Sequence, residues 1–208
     1  MKQQRVDLRD GSHFYVPIAE SYKDCFTLIN SDQYRHTSKD TPIATTIFRL
    51  LRWPICKRNT LVWLRLCQYR GIFYYFFKLM FNICCLVYRL EISSQTKIGY
   101  GFYIGLGVDI NINHGMIIGN NVNLSHYASF GTNHYTPAII SDNVWIGPMV
   151  CLVDNVEIGN SASVGAGAVV VKDIPANSTC AGVPAKVINY NDPGRFVNNR
   201  WPLNFKEE

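Results

Sequence analysis

The sequence predicts a mainly β protein in which coils of short parallel strands stack into a triangular prism, preceded by a mostly helical region. Two observations predict this fold. A large apolar residue recurs about every six positions between residues 98 and 170, and residues 1–91 lack that period. A six-residue period fits neither a helix nor a single long strand, and its persistence over many turns is typical of a repeat architecture.

The repeat can be written as twelve hexads, which group into four coils of three. Each hexad supplies one strand and one turn, so its leading residue points into the prism and stacked coils pair as parallel sheets. The leading residues, coil by coil, are Ile98, Ile104 and Ile112, then Ile118, Leu124 and Phe130, then Ile140, Ile146 and Leu152, then Ile158, Val164 and Val170. We assign residues 92–190 to the prism. Residues 191–208 form a polar tail, either a strap or a partly disordered end.

The period breaks in two places. The step from Ile104 to Ile112 is eight residues, and the step from Phe130 to Ile140 is ten, across the segment GTNHYTPA. Extra residues between strands of a rigid scaffold form protruding loops, where functional residues are usually placed. The second insertion is therefore the first place to look for chemistry.

The first ninety residues show apolar residues at helical spacing in four segments, residues 17–30, 43–52, 59–70 and 72–90. Pro54 and Gly71 separate the later segments. The longest apolar run, residues 71–90, contains Lys78 and Asn82 and falls short of a clean bilayer span. We expect a helix packed in the protein or in an oligomer core, with peripheral membrane contact through residues 61–90 as the alternative.

Charge is unevenly distributed. Residues 1–90 hold 14 Lys or Arg and 6 Asp or Glu, whereas the remainder holds 6 and 9. A basic, aromatic half suits an acidic substrate or a membrane surface, and we expect no nucleic-acid partner. Seven cysteines without a CxxC spacing indicate reduced thiols. The charged opening MKQQRVDLRD is unlike a secretion signal, so we expect a cytoplasmic protein, at most at the inner face of the membrane.

The segment NVWIGPMV and the closing stretch VEIGNSASVGAGAVVVKDIPANSTCAGVPAKVI resemble the hexapeptide-repeat acyltransferases. This resemblance implies a left-handed parallel β-helix, a homotrimer, acetyl-CoA as acyl donor and no metal. Within the family the chain is similar to serine O-acetyltransferases and, more closely, to enzymes that O-acetylate bacterial O-antigen and capsule polysaccharides. The resemblance covers about residues 92–190.

An alcohol is a weak nucleophile at neutral pH, so acetyl transfer to a hydroxyl needs a base, and histidine has a suitable pKa. The resemblance places the catalytic histidine in a loop before NVWIG, which here implies His134, with Asn133 beside it. His114 and His126 are further candidates, and Asp109 is a candidate to orient an imidazole. Serine acetyltransferases carry an Asp-His pair in the first insertion, where this chain has Gly105 and Leu106, and that departure counts against serine as acceptor.

The resemblance also places the pantetheine arm of the donor in a groove between neighbouring prisms, along the later coils. Two lysines have the charge that the phosphates of CoA need. The implied donor-binding residues are Trp145, Gly147, Ala166, Gly167, Lys172, Gly182, Pro184 and Lys186.

The leading hypothesis is an acetyl-CoA-dependent O-acetyltransferase acting on a sugar hydroxyl of a surface polysaccharide or its precursor, with serine O-acetylation as the alternative. A different class is a metal-dependent hydratase like the γ-type carbonic anhydrases, although His114, His126 and His134 lack the close pair of that family. A third is a non-catalytic scaffold, which gives the histidine loop and the GVPAK ending no purpose.

Overall fold

The structure is a computed structural model that describes residues 1–105, 108–131 and 137–203. The first half begins with two antiparallel strands, β1 (Lys2–Asp7) and β2 (His13–Ile18), and continues with four helices. The helices are α1 (Tyr22–Thr37), α2 (Ile43–Arg52), α3 (Lys57–Leu66) and α4 (Tyr74–Tyr88). Within the described residues, no helix is both long enough and apolar enough to cross a bilayer.

The first half is mostly helical, as predicted, and the hairpin adds two strands that the sequence analysis did not assign. Val6, Leu8, Phe14 and Val16 alternate along the two strands and pack on Ile117 and Ile139 of the prism, so the pattern has a strand period. Gly11 in the connecting turn has a φ of 84°, which glycine adopts without strain. The first helix accordingly runs over Tyr22–Thr37 instead of residues 17–30, with the Ser21 side chain accepting from the Asp24 N–H at its start.

The second half is a parallel β-helix. In chain order its strands are β3 (Leu90–Ile92), β4 (Lys97–Ile98), β5 (Tyr103–Ile104), β6 (Ile110–Ile112), β7 (Ile117–Ile118), β8 (Asn123–Leu124), β9 (Ser129–Gly131), β10 (Ile139–Ile140), β11 (Trp145–Ile146), β12 (Cys151–Val153), β13 (Glu157–Ile158), β14 (Ser163–Val164), β15 (Val169–Val170), β16 (Thr179–Ala181) and β17 (Lys186–Asn189).

Three sheets form the sides of the prism. Face 1 consists of β4, β7, β10 and β13, face 2 of β5, β8, β11, β14, β16 and the antiparallel β17, and face 3 of β3, β6, β9, β12 and β15. The predicted hexad register is confirmed on every face. The leading residues pair as Ile98, Ile118, Ile140 and Ile158, as Ile104, Leu124, Ile146 and Val164, and as Ile112, Phe130, Leu152 and Val170.

The coils are held at their corners as well as along their strands. At the corner from face 2 to face 3, Asp109, Tyr127, Met149 and Gly167 stack with positive φ, one residue per coil. The N–H of Asp109 donates to the Tyr88 carbonyl at the end of α4, and the N–H of each of the others donates to a carbonyl in the preceding coil, as from Tyr127 to Val108 at 3.2 Å. This column fixes the backbone positions of residues on both sides of it.

A buried ion pair joins the helices to the first coil. The Arg65 guanidinium donates to both carboxylate oxygens of Asp32 at 2.8 Å, and it also donates to the carbonyl oxygen of Ile98. The Arg65 side chain is fully buried and Asp32 nearly so. Burial raises the pKa of the Asp32 carboxyl, while Arg65 and the Phe102 N–H stabilise its ionised form.

We expect Asp32→Ala to cost about 3–5 kcal/mol of unfolding free energy, because Arg65 would be left buried and unpaired. Asp32→Leu combined with Arg65→Met should cost less than the sum of the two single changes, since no buried charge remains. Urea unfolding at fixed protein concentration measures both.

The matched control is Asp7→Ala, which removes the exposed Arg5–Asp7 pair and should leave the urea midpoint close to that of the wild type. If Asp32→Ala were no more destabilising than Asp7→Ala, the buried pair would not be what anchors the helices.

A second prediction concerns Asp142, at the corner between faces 1 and 2. Burial raises the pKa of its carboxyl to about 6, although the backbone N–H and the Nδ2 of Asn120 donate to it at 2.7 and 2.9 Å. A carboxyl with a raised folded-state pKa contributes stability that is present below its unfolded pKa and is lost as pH rises through about 6.

Asp142→Asn keeps the Oδ1 acceptor and removes the charge. As pH rises from about 4 to about 7.5, the unfolding free energy of the variant should therefore increase relative to that of the wild type, by up to about 3 kcal/mol. Urea unfolding of both proteins across this range provides the measurement. Parallel stability curves would show that Asp142 does not titrate with a raised pKa.

Candidate active site

Two of the three faces of the prism are covered by other parts of the chain. The hairpin packs on face 1, and the C-terminal tail crosses face 2, where the Phe196 ring stacks on Trp145 at 4.4 Å and Trp201 bonds to Asn121. Up to residue 203 the tail is thus a strap. Beside face 3, the C-terminal end of α4 packs against β3.

A cleft of about 830 Å³ lies between that end of α4 and the outer surface of face 3. Its apolar wall comes from Leu86 and Ile110, and its polar groups come from Arg89, Glu91, Asp109, Asn111 and Ser129. Glu91, Asn111 and Ser129 are register partners on successive strands, so their side chains form one outward row. The cleft therefore combines a flat β surface with a helix end.

Two polar contacts organise the cleft. Arg89 donates to Asp109 at 2.6 Å, and Asn111 donates from its side-chain amide to Glu91 at 2.7 Å. Arg89 and Asp109 both have positive φ and lie one above the other at the corner between faces 2 and 3. The structure thus pairs Asp109 with an arginine, whereas the sequence suggested a histidine as its partner.

The corner between faces 2 and 3 carries several of the predicted residues. His126 precedes Tyr127 in the corner column, and its carbonyl accepts from Met149 of the next coil at 3.1 Å. Further along this corner, Ala166, Gly167, Gly182 and Pro184 are exposed. A Cβ built on Gly167 would have no atom within 4 Å, so a ligand can approach the backbone closely there.

The corner between faces 3 and 1 carries two more of the predicted residues, His114 and Lys172. His114 is exposed and precedes Gly115, and a Cβ built on Gly115 would lie 3.4 Å from Pro137. Pro137, which belongs to the second insertion, therefore lies close to the turn that carries His114. His134 and Asn133, within the insertion, lie outside the described residues, as does Leu106 in the first insertion. Lys172 is exposed at this corner in the last coil.

Three predicted donor-binding residues, Trp145, Gly147 and Lys186, lie along face 2 and not at an end of face 3. Trp145 lies on the outer surface of face 2 under Phe196, and its ring would be 2.9 Å from a Cβ on the buried Gly147. Gly147 is needed for close packing there, since the same Cβ would lie 2.8 Å from the Ala166 nitrogen. Lys186 is exposed at the start of β17.

Two features were not predicted from the sequence: the polar row on face 3, and a separate cavity lined by a histidine of helix α1. The row could have been found from the polar residues that precede leading positions at Asn111 and Ser129. The cavity, of about 320 Å³, lies beside Gly105 and is lined by His36, Lys57 and Arg58. Burial, and then Arg58, lowers the pKa of His36, which favours the neutral imidazole. No spacing rule in the sequence brings a helix α1 residue to a β-helix corner.

No three His, Cys, Asp or Glu side chains among the described residues are grouped so that they could hold a metal ion. The histidine set of the hydratase alternative includes His134, which is not among them.

Residues 137–172 match the family described as bacterial transferase hexapeptide (six repeats). The match lies within the later coils of the β-helix.

Among characterised proteins, the chain is 36% identical over 107 residues to a serine acetyltransferase of Buchnera aphidicola, covering 49% of this chain and 41% of that protein. It is 34% identical over 122 residues to the galactoside O-acetyltransferase of Escherichia coli, covering 52% and 57%. The aligned part thus spans about half the length of these relatives, 41% of one and 57% of the other.

Solved structures of serine acetyltransferases share the fold. That of Neisseria gonorrhoeae superposes with a TM-score of 0.64 at 23% identity, covering 80% of this chain and 67% of that one. The soybean apoenzyme gives 0.60 at 23% identity, with 77% and 67% covered. The fold is accordingly the left-handed parallel β-helix with an N-terminal helical region, as the sequence predicted.

Proposed function

We propose that this protein is an acetyl-CoA-dependent O-acetyltransferase. The observation that carries the proposal is that several of the predicted residues lie at the ends of face 3, beside a polar cleft: Asp109, His114, His126, Ala166, Gly167, Lys172, Gly182 and Pro184. The sequence relatives, which are acetyltransferases by name, support the same reaction class. A non-catalytic scaffold would not need this concentration of polar and histidine side chains.

The chemistry follows from the groups available. A neutral histidine accepts the proton of the acceptor hydroxyl as the oxygen attacks the thioester carbonyl of acetyl-CoA. The C–S bond then breaks, and the departing CoA sulfur takes up that proton from the imidazolium. Backbone N–H groups at an exposed turn can stabilise the negative charge that develops on the carbonyl oxygen. We assign the role of general base to His134. Asn133, His114 and His126 are further candidates for a role in catalysis.

The two corners of face 3 are separated by the width of a sheet, so one prism does not bring both sets of residues to one point. We propose a homotrimer in which the corner bearing His126 and Gly167 of one subunit faces the corner bearing His114 and the second insertion of its neighbour. Lys172 and Lys186 would then be available to the phosphates of CoA. We also propose that the chain is divided into a helical region, residues 1–91, and a catalytic β-helix, residues 92–190.

Serine is the acceptor that the comparisons support best, because serine acetyltransferases predominate among both the relatives and the solved structures. The sequence-based preference for a polysaccharide acceptor has no support among these relatives. A sugar hydroxyl remains the second candidate because a galactoside O-acetyltransferase matches over a similar share of this chain. Glu91 and Asn111 in the cleft can bond either a serine ammonium or sugar hydroxyls.

The deciding experiment measures CoA release from acetyl-CoA with serine, with a galactoside and with a panel of acidic and neutral glycans as acceptors. We expect turnover with one acceptor class, and His134→Ala should reduce kcat by about 10²–10⁴-fold, as loss of a general base does. His13→Ala is the matched control, because His13 is exposed on the hairpin that covers face 1.

Circular dichroism and sedimentation must show that both variants keep the fold and the oligomeric state of the wild type. Absence of CoA release with every acceptor would contradict the proposed reaction. Full activity of His134→Ala would move the base to His114 or His126.

The exposed corner at Ala166 gives a separate prediction for the donor. Ala166→Phe should raise the KM for acetyl-CoA at least tenfold, because a ring there would fill the space beside the open Gly167 backbone. The thermal midpoint should not change, because Ala166 is exposed. Initial rates over a range of acetyl-CoA concentrations provide the measurement. An unchanged KM would place the donor away from this corner.

A further inference from the structure

An apolar groove crosses the helical half of the protein. It has a volume of about 580 Å³ and lies between α2 and α4, with α1 and α3 forming its floor. Ile47, Leu51, Phe73 and Phe76 line it and are themselves exposed to solvent. We refer to these four residues and their exposed neighbours Phe48, Trp53 and Ile72 as the helix groove.

The helix groove is not an ordinary protein surface. Leu51 is 80% exposed, Ile72 is 86% exposed and Trp53 is 62% exposed, and all are large apolar side chains. Single exposed apolar residues are common, but a contiguous patch of this kind marks a surface that is covered by something else. Trp63 and Leu66 form the buried floor beneath these exposed side chains, so the groove is apolar from its rim to its floor.

The charges around the groove indicate what covers it. Residues 41–90 contain eight Lys or Arg and no Asp or Glu. Arg65 is buried against Asp32 and Arg89 pairs with Asp109, but Arg52, Arg58, Arg70 and Lys78 are exposed. Arg52 lies 5.6 Å from the Trp53 ring, and Arg70 and Lys78 lie 5.7 and 5.8 Å from the Tyr74 ring at the start of α4.

We propose that the helix groove docks on the surface of an anionic lipid bilayer. Apolar and aromatic side chains enter the boundary between headgroups and acyl chains, and the surrounding basic side chains pair with lipid phosphates. A second copy of this chain would bring one basic rim against another, which opposes self-association through the same surface. The groove lies on the bilayer, since α2 and α4, of 10 and 15 residues, are too short to cross it.

The first test is co-sedimentation of the full-length protein with vesicles of phosphatidylcholine alone, or of phosphatidylcholine with about a third phosphatidylglycerol, at about 0.15 M salt. We expect at least tenfold stronger partitioning onto the anionic vesicles and a marked loss of binding at about 1 M salt. Equal binding to both compositions, or none, would overturn the proposal.

The second test assigns the binding to the groove. Leu51→Ser with Ile72→Ser should reduce partitioning at least tenfold, and so should Arg52→Glu with Lys78→Glu. The matched controls change the same chemistry elsewhere, at the exposed pairs Ile188→Ser with Tyr190→Ser and Lys39→Glu with Lys97→Glu. These controls should bind as the wild type does. If they lose binding equally, the attraction is general and not a property of the groove.

Two further measurements distinguish a lipid surface from a second copy of this chain as the occupant of the helix groove. The tryptophan emission of the wild type should shift to shorter wavelength on anionic vesicles. Trp53→Phe should abolish the shift, because Trp53 is 62% exposed whereas Trp63 in the groove floor is already buried. Sedimentation velocity without lipid tests the second copy as occupant. A change of oligomeric mass in Leu51→Ser with Ile72→Ser, without loss of vesicle binding, would assign the groove to an interface between copies. None of these readouts uses acetyl transfer.

Discussion

The first coil of the β-helix depends on the arginines that close its open end. A coil in the middle of the prism bonds to coils on both sides, whereas the first one leaves carbonyl groups without a neighbouring strand. Arg65 donates to the Ile98 carbonyl, and Arg35 donates to the Gly101 carbonyl. Asp32 pairs with Arg65 and accepts a hydrogen bond from the Phe102 N–H. Helices α1 and α3 therefore close the end of the solenoid, and their orientation follows from that of the prism.

That arrangement determines which face stays open. Helix α1 reaches face 2 through Arg35, which bonds Asn123 and the tail carbonyl of Asn198, and this contact helps to hold the strap across the face. The hairpin is fixed at the far end of face 1, where Arg9 contacts Asp173 and Glu157. Helix α4 runs on from α3 and ends at β3, so it meets only the start of face 3. The cleft is thus a consequence of the way in which the other two faces are covered.

The sequence predicted the β-helix in register because a hexad leaves one apolar residue per strand, and the burial of that residue depends only on local spacing. The hairpin was missed because its pattern does not repeat along the chain and its apolar partners, Ile117 and Ile139, are distant in sequence. The Asp32–Arg65 pair is equally non-local, and charged residues in a helix are more often solvated. The candidate histidines could be named from the sequence. The arginine partner of Asp109 could not, because the pairing depends on the corner at which Arg89 and Asp109 are stacked.

Helix α4 links the two proposed surfaces. Its first turns carry Phe73 and Phe76 at the helix groove, and its last turn carries Leu86 at the cleft. At a rise of about 1.5 Å per residue, the 15 residues of α4 separate these surfaces by about 20 Å. A protein docked through the groove would hold its cleft clear of the headgroups yet within reach of an acceptor tethered to lipid. A soluble acceptor such as serine gains nothing from that position, so lipid binding and acceptor identity are physically connected, and strong docking would favour the sugar acceptor over serine.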